Sequence, residues 1–301
     1  MNGLSFKTGM AFTYGVPAQL YPGIARLVAN NPSPFTFKGT NSYLVGTASL
    51  AVIDPGPDDA AQLAAILAAA AGRPITHIVS THAHRDHVDG IPALKAATGA
   101  KVCAYKRKPA DVIPLDQTPQ GREYIDLHLT PDVELSGGSI LEGEDWTLHV
   151  LHTPGHAPDH LCFAHEATGT LFSGDHVMAW NTSIVAPPEG RMADYMASLE
   201  LLLDRDESIY LPGHGGRITQ ARRTVKAYLL HRKVREQAIL KVLRDGARTV
   251  RAIVPIVYPD IAERLIPAAT LTVLAHVEML ADRRQILADG PLTADQMLRA
   301  V

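Results

Sequence analysis

Short apolar runs separated by polar turns fill the first two thirds of this chain. Residues 43–45 and 50–53 flank a Gly-Thr-Ala-Ser turn and predict a β-hairpin. Residues 60–71 are rich in Ala and Leu and predict a helix that Gly72 ends. The apolar run 75–80 predicts a buried strand. Strands and helices that alternate in this way favour an α/β fold.

The same pattern continues towards the middle of the chain. Residues 88–97 predict a helix, and residues 106–131, which hold several prolines and mixed charges, predict an irregular connection. Further short strands are predicted at residues 101–105, 146–150, 161–164, 170–172 and 209–211.

The charge pattern changes near Thr219. Residues 215–250 contain ten Lys or Arg against two acidic residues, a local charge of +8. Because the net charge of the chain is −3, the remaining residues carry −11. Apolar positions within this basic segment predict a long amphipathic helix that Gly246 ends.

After this helix, the sequence predicts a small module. Residues 250–257 and 268–282 predict two helices, residues 284–287 a short β-like piece, and residues 289–291 a turn. Three helices with a hairpin-like end are typical of a winged-helix module.

Composition adds the class of protein. The chain has 301 residues, 46% hydrophobic and 20% charged, as in ordinary soluble globular proteins, and its overall charge predicts no strong polyanion binding by the chain as a whole. Cys103 and Cys162 form no CxxC pattern, which suits buried thiols in a reducing compartment. Residues 1–10 lack an apolar signal region, and no run of 18 uncharged apolar residues occurs. We expect a cytoplasmic protein without a membrane anchor.

Histidines and aspartates cluster directly after the predicted strand 75–80. His82, His84, Asp86 and His87 lie within six residues. Imidazole nitrogens and carboxylate oxygens are ligands of zinc and related metals. Ligands in α/β sheets bind at the carboxyl ends of the strands, where this loop would lie. The short loop can therefore supply two adjacent metal sites.

Three further strand ends have the same form. His156, Asp175 and His214 each follow a predicted strand and have a glycine beside them, which lets the backbone approach a metal closely. A single histidine in a turn is more often a surface or core residue than a ligand. Four separate strand ends with suitable residues are hard to explain by chance, so we predict a site for two metals.

These segments, HxHxDH, TPGH, GD and GH, resemble the metallo-beta-lactamase superfamily. The resemblance implies a four-layer αββα sandwich over residues 1–220 and, with the tail, a small winged-helix-like domain over 221–301. It implies two divalent ions, with zinc as the default and iron or manganese as alternatives. The implied ligands are His82, His84 and His156 for the first ion and Asp86, His87 and His214 for the second, with Asp175 bridging the two. Asp86 and Asp175 are the implied catalytic residues.

A narrower resemblance covers nearly the whole chain. Residues 31–36, 39–46, 194–199 and 231–237 look like the group around lactamase-beta-like protein 2, whose animal member is an endoribonuclease. One departure is Asp89, where the group usually has glycine. We interpret Asp89 as a carboxylate on a helix face and not as an eighth ligand.

Other residues near these motifs have weaker signals. Asp54 is either a carboxylate that orients a ligand histidine or an Asp-Pro-Gly turn residue. Asp159 and His160, close to His156, are further orienting candidates. A structural role is preferred for His77, His128, His149, His152, His165, His176, His231 and His276.

The expected reaction is hydrolysis by a hydroxide that the two ions share. Single-stranded RNA is the favoured substrate, as the narrower resemblance implies, and the basic segment after His214 supports it. The alternative is a thioester or lactone of a small molecule, as in glyoxalase II-like enzymes. Against RNA, residues 268–282 contain no Lys or Arg, so this helix predicts a packing or homodimer surface. A binding protein with a vestigial site is disfavoured because all seven ligands are present.

Overall fold

Two mixed β-sheets form the centre of the fold in a computed structural model, which describes residues 6–107, 125–126, 129–288 and 290–301. The first sheet has seven strands in sequential order, antiparallel as far as β4 and parallel from there. Its strands are β1 Ala18–Tyr21, β2 Ile24–Val28, β3 Asn41–Val45, β4 Leu50–Ile53, β5 Ile75–Val79, β6 Lys101–Tyr105 and β7 Val133–Leu135.

The second sheet has five strands in the order β12-β11-β10-β9-β8, with only β11 and β12 parallel. These strands are β8 Ile140–Glu142, β9 Thr147–His152, β10 Leu161–His165, β11 Thr170–Gly174 and β12 Ile209–Pro212.

Alternating side chains divide the core into layers. In β3, Tyr43 and Val45 point between the two sheets and pack with Phe163 and Phe172 of the second sheet. Leu44, between them in sequence, packs on the other side of the first sheet. Helices α1 Ala60–Ala70 and α3 Ile91–Thr98 cover that outer face. Helices α4 Met192–Leu203 and α5 Ala221–Arg244 cover the outer face of the second sheet. The predicted four-layer αββα sandwich is confirmed.

The predicted helix 88–97 is wrong at its start. A short helix α2 spans Arg85–Val88, and α3 begins only at Ile91. The break falls at Gly90, whose backbone N–H donates to Gly56 O at 2.9 Å. A Cβ at this position would lie 3.0 Å from the carbonyl oxygen of Pro57, so a larger residue would have to push the neighbouring loop away slightly. Asp86 and His87 therefore belong to a helical turn of their own.

The C-terminal part has the predicted elements. Helices α6 Val250–Val257 and α7 Ile266–Asp282 follow α5, and β13 Ile286–Ala288 pairs with β14 Leu298–Ala300. These elements share one apolar core with the end of α5. The predicted winged-helix-like domain is confirmed, while the boundary between residues 220 and 221 stays a prediction. Most of the irregular connection predicted at 106–131, and Asp289 of the predicted turn, lie outside the described residues.

One stretch, Glu263–Asp282, is long and apolar enough to cross a membrane by length and composition. Half of it is buried inside the fold, and core helices of soluble proteins pass the same test. It is therefore weak evidence for a membrane span.

Candidate metal centre

Strand ends of both sheets meet at one edge of the sandwich. Asn41 at the start of β3 joins the sheets there, because its backbone N–H donates to Gly213 O at 2.7 Å and its side-chain amide donates to Pro212 O at 2.8 Å. The seven predicted ligands lie at this edge. They follow β5 (His82, His84, Asp86 and His87), β9 (His156), β11 (Asp175) and β12 (His214).

The first group contains three imidazole nitrogens. His82 Nε2 lies 2.9 Å from His84 Nδ1, and His84 Nδ1 lies 3.1 Å from His156 Nε2. Three ring nitrogens that converge on one point can be satisfied together by a cation. His82, His84 and His156 indeed form one of the groups whose ligand atoms all lie within 4.8 Å of one another.

The second group combines Asp86, His87 and His214. His214 Nε2 lies 3.2 Å from Asp86 Oδ2 and 3.3 Å from His87 Nε2. Asp175 lies between the two groups, with Oδ2 at 3.3 Å from His214 Nε2 and 3.8 Å from His156 Nε2. Asp175 Oδ1 is buried without a hydrogen-bond donor among the described residues. A carboxylate in this place can contact two cations at once.

The outer ring nitrogens are held by acceptors. His156 Nδ1 lies 2.7 Å from Ile184 O, His87 Nδ1 lies 2.8 Å from Asp54 Oδ2, and His214 Nδ1 lies 3.3 Å from Gly39 O. A proton on each outer nitrogen leaves the lone pair of Nε2 free towards the centre. These residues therefore fit a pair of divalent metals.

Asp54 orients this arrangement. It is buried, and it accepts hydrogen bonds from Thr81 N at 2.8 Å and Thr81 Oγ1 at 2.7 Å in addition to its contact with His87. Of the two interpretations from the sequence, these contacts support the carboxylate that orients a histidine.

Asp159 and His160 also contact the ligand-bearing loops. Asp159 Oδ2 accepts from Ala83 N at 3.0 Å, and its other oxygen accepts from Arg107 at 2.9 Å. His160 Nε2 accepts the backbone N–H of Asp175 at 3.1 Å. Arg107 lies beyond β6, and no motif in the sequence marks it as part of this site.

Charges within the cluster shift its titration. Burial and the neighbouring His156 lower the pKa of His84 to about 3. Burial alone would lower the pKa of His214, but Asp175 and Asp86 raise it to about 9. Burial alone would raise the pKa of Asp175, but His214 and His87 hold it well below its usual range. A metal that binds His214 must displace the proton that its raised pKa retains at neutral pH, so binding there depends on pH.

Gly213 allows the close packing that glycine beside a ligand predicts. A Cβ at Gly213 would lie 2.6 Å from Asp175 Oδ1 and 2.7 Å from His87 Cε1. The position therefore excludes any larger residue without displacement of the ligands.

Asp89 and the remaining described histidines belong to neither ligand group. Asp89 pairs with Arg85 at 3.6 Å at the end of α2. His77 packs on Trp146, His152 stacks on Tyr105, and His276 is buried in the core. His128 lies outside the described residues.

An aromatic wall stands beside His214. The rings of Phe37 and Trp180 stack with centroids 4.9 Å apart and an angle of 10°. Trp180 packs directly against Gly215, so that a Cβ there would lie 2.7 Å from the indole. The ammonium of Lys38 lies 5.4 Å from the centre of the Phe37 ring.

Comparisons with known proteins agree with this geometry. The profile of the metallo-beta-lactamase superfamily matches residues 35–214, and that of the beta-lactamase associated winged helix domain matches residues 249–291. A beta-lactamase-like protein 2 homolog of Drosophila melanogaster is 33% identical over 279 residues, which are 88% of this chain and 90% of the relative.

The chain is also similar to a relative that is named as a thioesterase and to a solved structure. An atrochrysone carboxyl ACP thioesterase of Claviceps purpurea is 28% identical over 251 residues, 80% of this chain and 74% of the relative. The crystal structure of a metallo-beta-lactamase family protein from Thermus thermophilus has a TM-score of 0.75 and 25% identity, and covers 94% of this chain and 100% of that chain.

Proposed function

Because this chain belongs to the metallo-beta-lactamase superfamily and is a metal-dependent hydrolase, we propose that it cleaves a thioester bond at a two-metal centre. His82, His84 and His156 would hold one ion, and Asp86, His87 and His214 the other. Asp175 would contact both. The converging ring nitrogens support this assignment, as does Asp175 Oδ1, which is buried and has no hydrogen-bond donor among the described residues. Zinc is the proposed ion, since imidazole and carboxylate ligands suit it, although iron suits them also.

Groups at this site would act on both reactants, the attacking water and the carbonyl group of the substrate. Divalent metals, when bound here, lower the pKa of water towards neutrality and polarise a carbonyl oxygen. Asp86 Oδ2 lies 3.2 Å from His214 Nε2 and 3.5 Å from Thr40 Oγ1, so its carboxylate is at the centre of the site, where it would orient the attacking water. Asp54 and Ile184 O keep the histidines oriented throughout.

The aromatic wall formed by Phe37 and Trp180 is the reason why we propose a thioester as the substrate. Phe37 and Trp180 present stacked rings beside His214, and such a wall suits the apolar acyl part of a substrate. The relative from Claviceps purpurea is named for thioesterase activity, which is consistent with this choice.

Hydrolysis of single-stranded RNA is the second candidate. Lys38 beside the stacked rings could hold a phosphate while a base stacks on the wall, and this observation favours RNA. The basic segment 215–250 gives less support than the sequence suggested. Arg232 and Arg235 in it turn inward and donate to the backbone oxygens of Ser183 and Val257. The buried face of α5 packs on the protein, so its exposed Arg223, Lys226 and Lys233 point away from that face.

The two candidates can be compared in one experiment. Zinc-loaded protein is assayed on S-lactoylglutathione, on an aromatic acyl thioester and on labelled single-stranded RNA, each beside Asp175→Ala. We expect thioester cleavage that falls at least about a hundredfold in Asp175→Ala, because the residue contacts both ligand groups.

RNA cleavage without thioester cleavage, lost in Asp175→Ala, would replace the first candidate by the second. RNA cleavage that survives the substitution indicates a contaminating nuclease. If the protein binds fewer than about one zinc per chain after dialysis, the two-metal proposal itself fails.

A further inference from the structure

One loop carries two groups on which the metal centre depends. The segment between β11 and α4 begins with Asp175, and nine residues later Ile184 O accepts the Nδ1 proton of His156 at 2.7 Å. Contacts that hold this loop in place therefore position the proposed ligand Asp175, which lies in the loop, and orient the proposed ligand His156, which lies outside it.

Ser183 ties the loop together from inside. Its hydroxyl lies 2.5 Å from the carbonyl oxygen of Asp175 and 2.8 Å from that of His176, and can donate to either. Tyr195 of α4 donates to His176 O at 2.7 Å from the other side. Beyond the end of β11, the backbone around Asp175 is thus held by His160 and by the hydroxyl groups of Ser183 and Tyr195.

Helix α5 holds the same loop from outside the two sheets. Arg232 Nη2 donates to Ser183 O at 2.5 Å, and its guanidinium lies 5.1 Å from the centre of the Tyr195 ring. Tyr228, one turn earlier, donates to Met178 O at 2.7 Å and accepts from Met178 N at 3.1 Å.

Arg232 is unusual because it is only 1% exposed. No carboxylate among the described residues lies within ion-pair distance of it, and its Nε atom has no acceptor there. Burying a guanidinium without a counter-charge lowers the stability of the fold. Its position is therefore better explained by its contact with the loop that carries Asp175 than by a gain in stability.

We propose that Arg232 and Tyr228 are positioning residues of the metal centre, so that the helix leading into the winged-helix module is part of the scaffold of the active site. Arg232 acts through Ser183 on the backbone of Asp175 and through Ile184 on His156. This inference rests on the proposed metal centre. It gives Arg232, which the reaction itself does not use, a role in metal retention.

The same helix provides a matched control. Arg235 also donates to a backbone oxygen, that of Val257 at the end of α6, and it also lies over a tyrosine ring, Tyr258 at 4.1 Å. The two arginines have the same chemistry. Only Arg232 contacts the loop that carries Asp175.

The test compares Arg232→Met with Arg235→Met in the full chain. Zinc affinity is measured by competition with a chromophoric chelator, the cobalt-substituted absorption spectrum reports ligand geometry, and thermal unfolding reports stability. We expect both variants to be less stable. Arg232→Met alone should bind the weaker of its two zinc ions about tenfold less tightly and show an altered cobalt spectrum. Arg232→Lys, which keeps a donor, should recover part of the affinity.

Equal zinc affinities and cobalt spectra in wild type, Arg232→Met and Arg235→Met would overturn the proposal. If Arg232→Met does not fold, Ser183→Ala decides, because it removes only one hydroxyl, and unchanged zinc affinity in that variant would also overturn it. Failure of wild type to bind zinc would instead refute the metal centre, so the two failures are distinguishable.

Discussion

Asp54 shows how a single residue can be strained in order to orient a ligand. Its φ is +51°, a backbone conformation that is uncommon for residues other than glycine. Three hydrogen bonds, two from Thr81 and one from His87, hold it there. Strain of this kind persists where surrounding contacts fix the geometry, and it is frequent at functional sites.

We predict that Asp54→Asn lowers zinc affinity by about tenfold to a hundredfold, because Asp54 accepts three hydrogen bonds through two oxygens, and the NH2 group of an amide would face at least one of these donors. Chelator competition measures the change. Asp89→Asn is the control, since Asp89 pairs with Arg85 and lies outside the ligand groups, and it should leave zinc affinity unchanged. Equal affinities in both variants would contradict the orienting role.

At this scale the sequence predicted the cluster well. The seven proposed ligands come together because residues at the ends of neighbouring strands lie at one edge of the sheet. The pattern of polar residues after the strands is visible in the sequence, so this clustering could be predicted. Arg107 and Arg232 could not be predicted in the same way. Charged residues are normally exposed, so nothing local in the sequence marks an arginine that the tertiary structure buries.

The packing of helix α7 on two sides explains why its sequence lacks basic residues. Ala275 and Met279 pack into the core behind the second sheet, while Val273 and Val277 pack into the C-terminal core. The helix therefore joins the two parts of the chain. This agrees with the predicted packing surface, whereas homodimerisation stays a prediction.

Glu278 on the same helix predicts a pH dependence of stability. Burial raises the pKa of Glu278 to about 7, and nearby Asp282 adds to the shift while Arg191 opposes it. As pH rises from 4.5 to 7, the unfolded chain loses this proton before the folded chain does, so ionisation progressively destabilises the fold.

We therefore expect Glu278→Gln to be more stable than wild type at pH 8, by about 1 kcal/mol after allowance for partial solvent screening, and similar to it near pH 5. Thermal unfolding at the two pH values measures the difference. Glu200→Gln, on the exposed side of α4, should change stability by less than about 0.5 kcal/mol at either pH. An equal effect of Glu278→Gln at pH 5 and pH 8 would refute the expectation.

The apolar pattern predicted some elements closely, while β1, β2, β7, β8 and α4 were not predicted. The strands β3, β4, β5 and β6 lie where the apolar pattern placed them. The break between α2 and α3 falls at Gly90, which contacts Gly56 on another loop, and just before Pro92 in the first turn of α3. Apolar periodicity alone did not reveal it.

Over the whole molecule, metal binding and folding should be linked. A ligand that binds only the folded chain stabilises it by about 2.7 kcal/mol at a free concentration one hundred times its Kd. We expect removal of metal with a chelator to lower Tm by on the order of 5 °C, and zinc to restore it. Asp175→Ala should respond far less to zinc. A wild-type Tm that does not change over the same zinc range would speak against the linkage.

The position of His214 has a consequence for how the protein obtains its metal in the cell. His214 contacts His87, which precedes it by 127 residues, and Asn41 joins the sheets beside it. During synthesis the histidines after β5 leave the ribosome long before their partner does. The proposed second site can close only once both sheets have docked, so we expect its ion to be chosen by the folded protein from the metals then available and not by the growing chain.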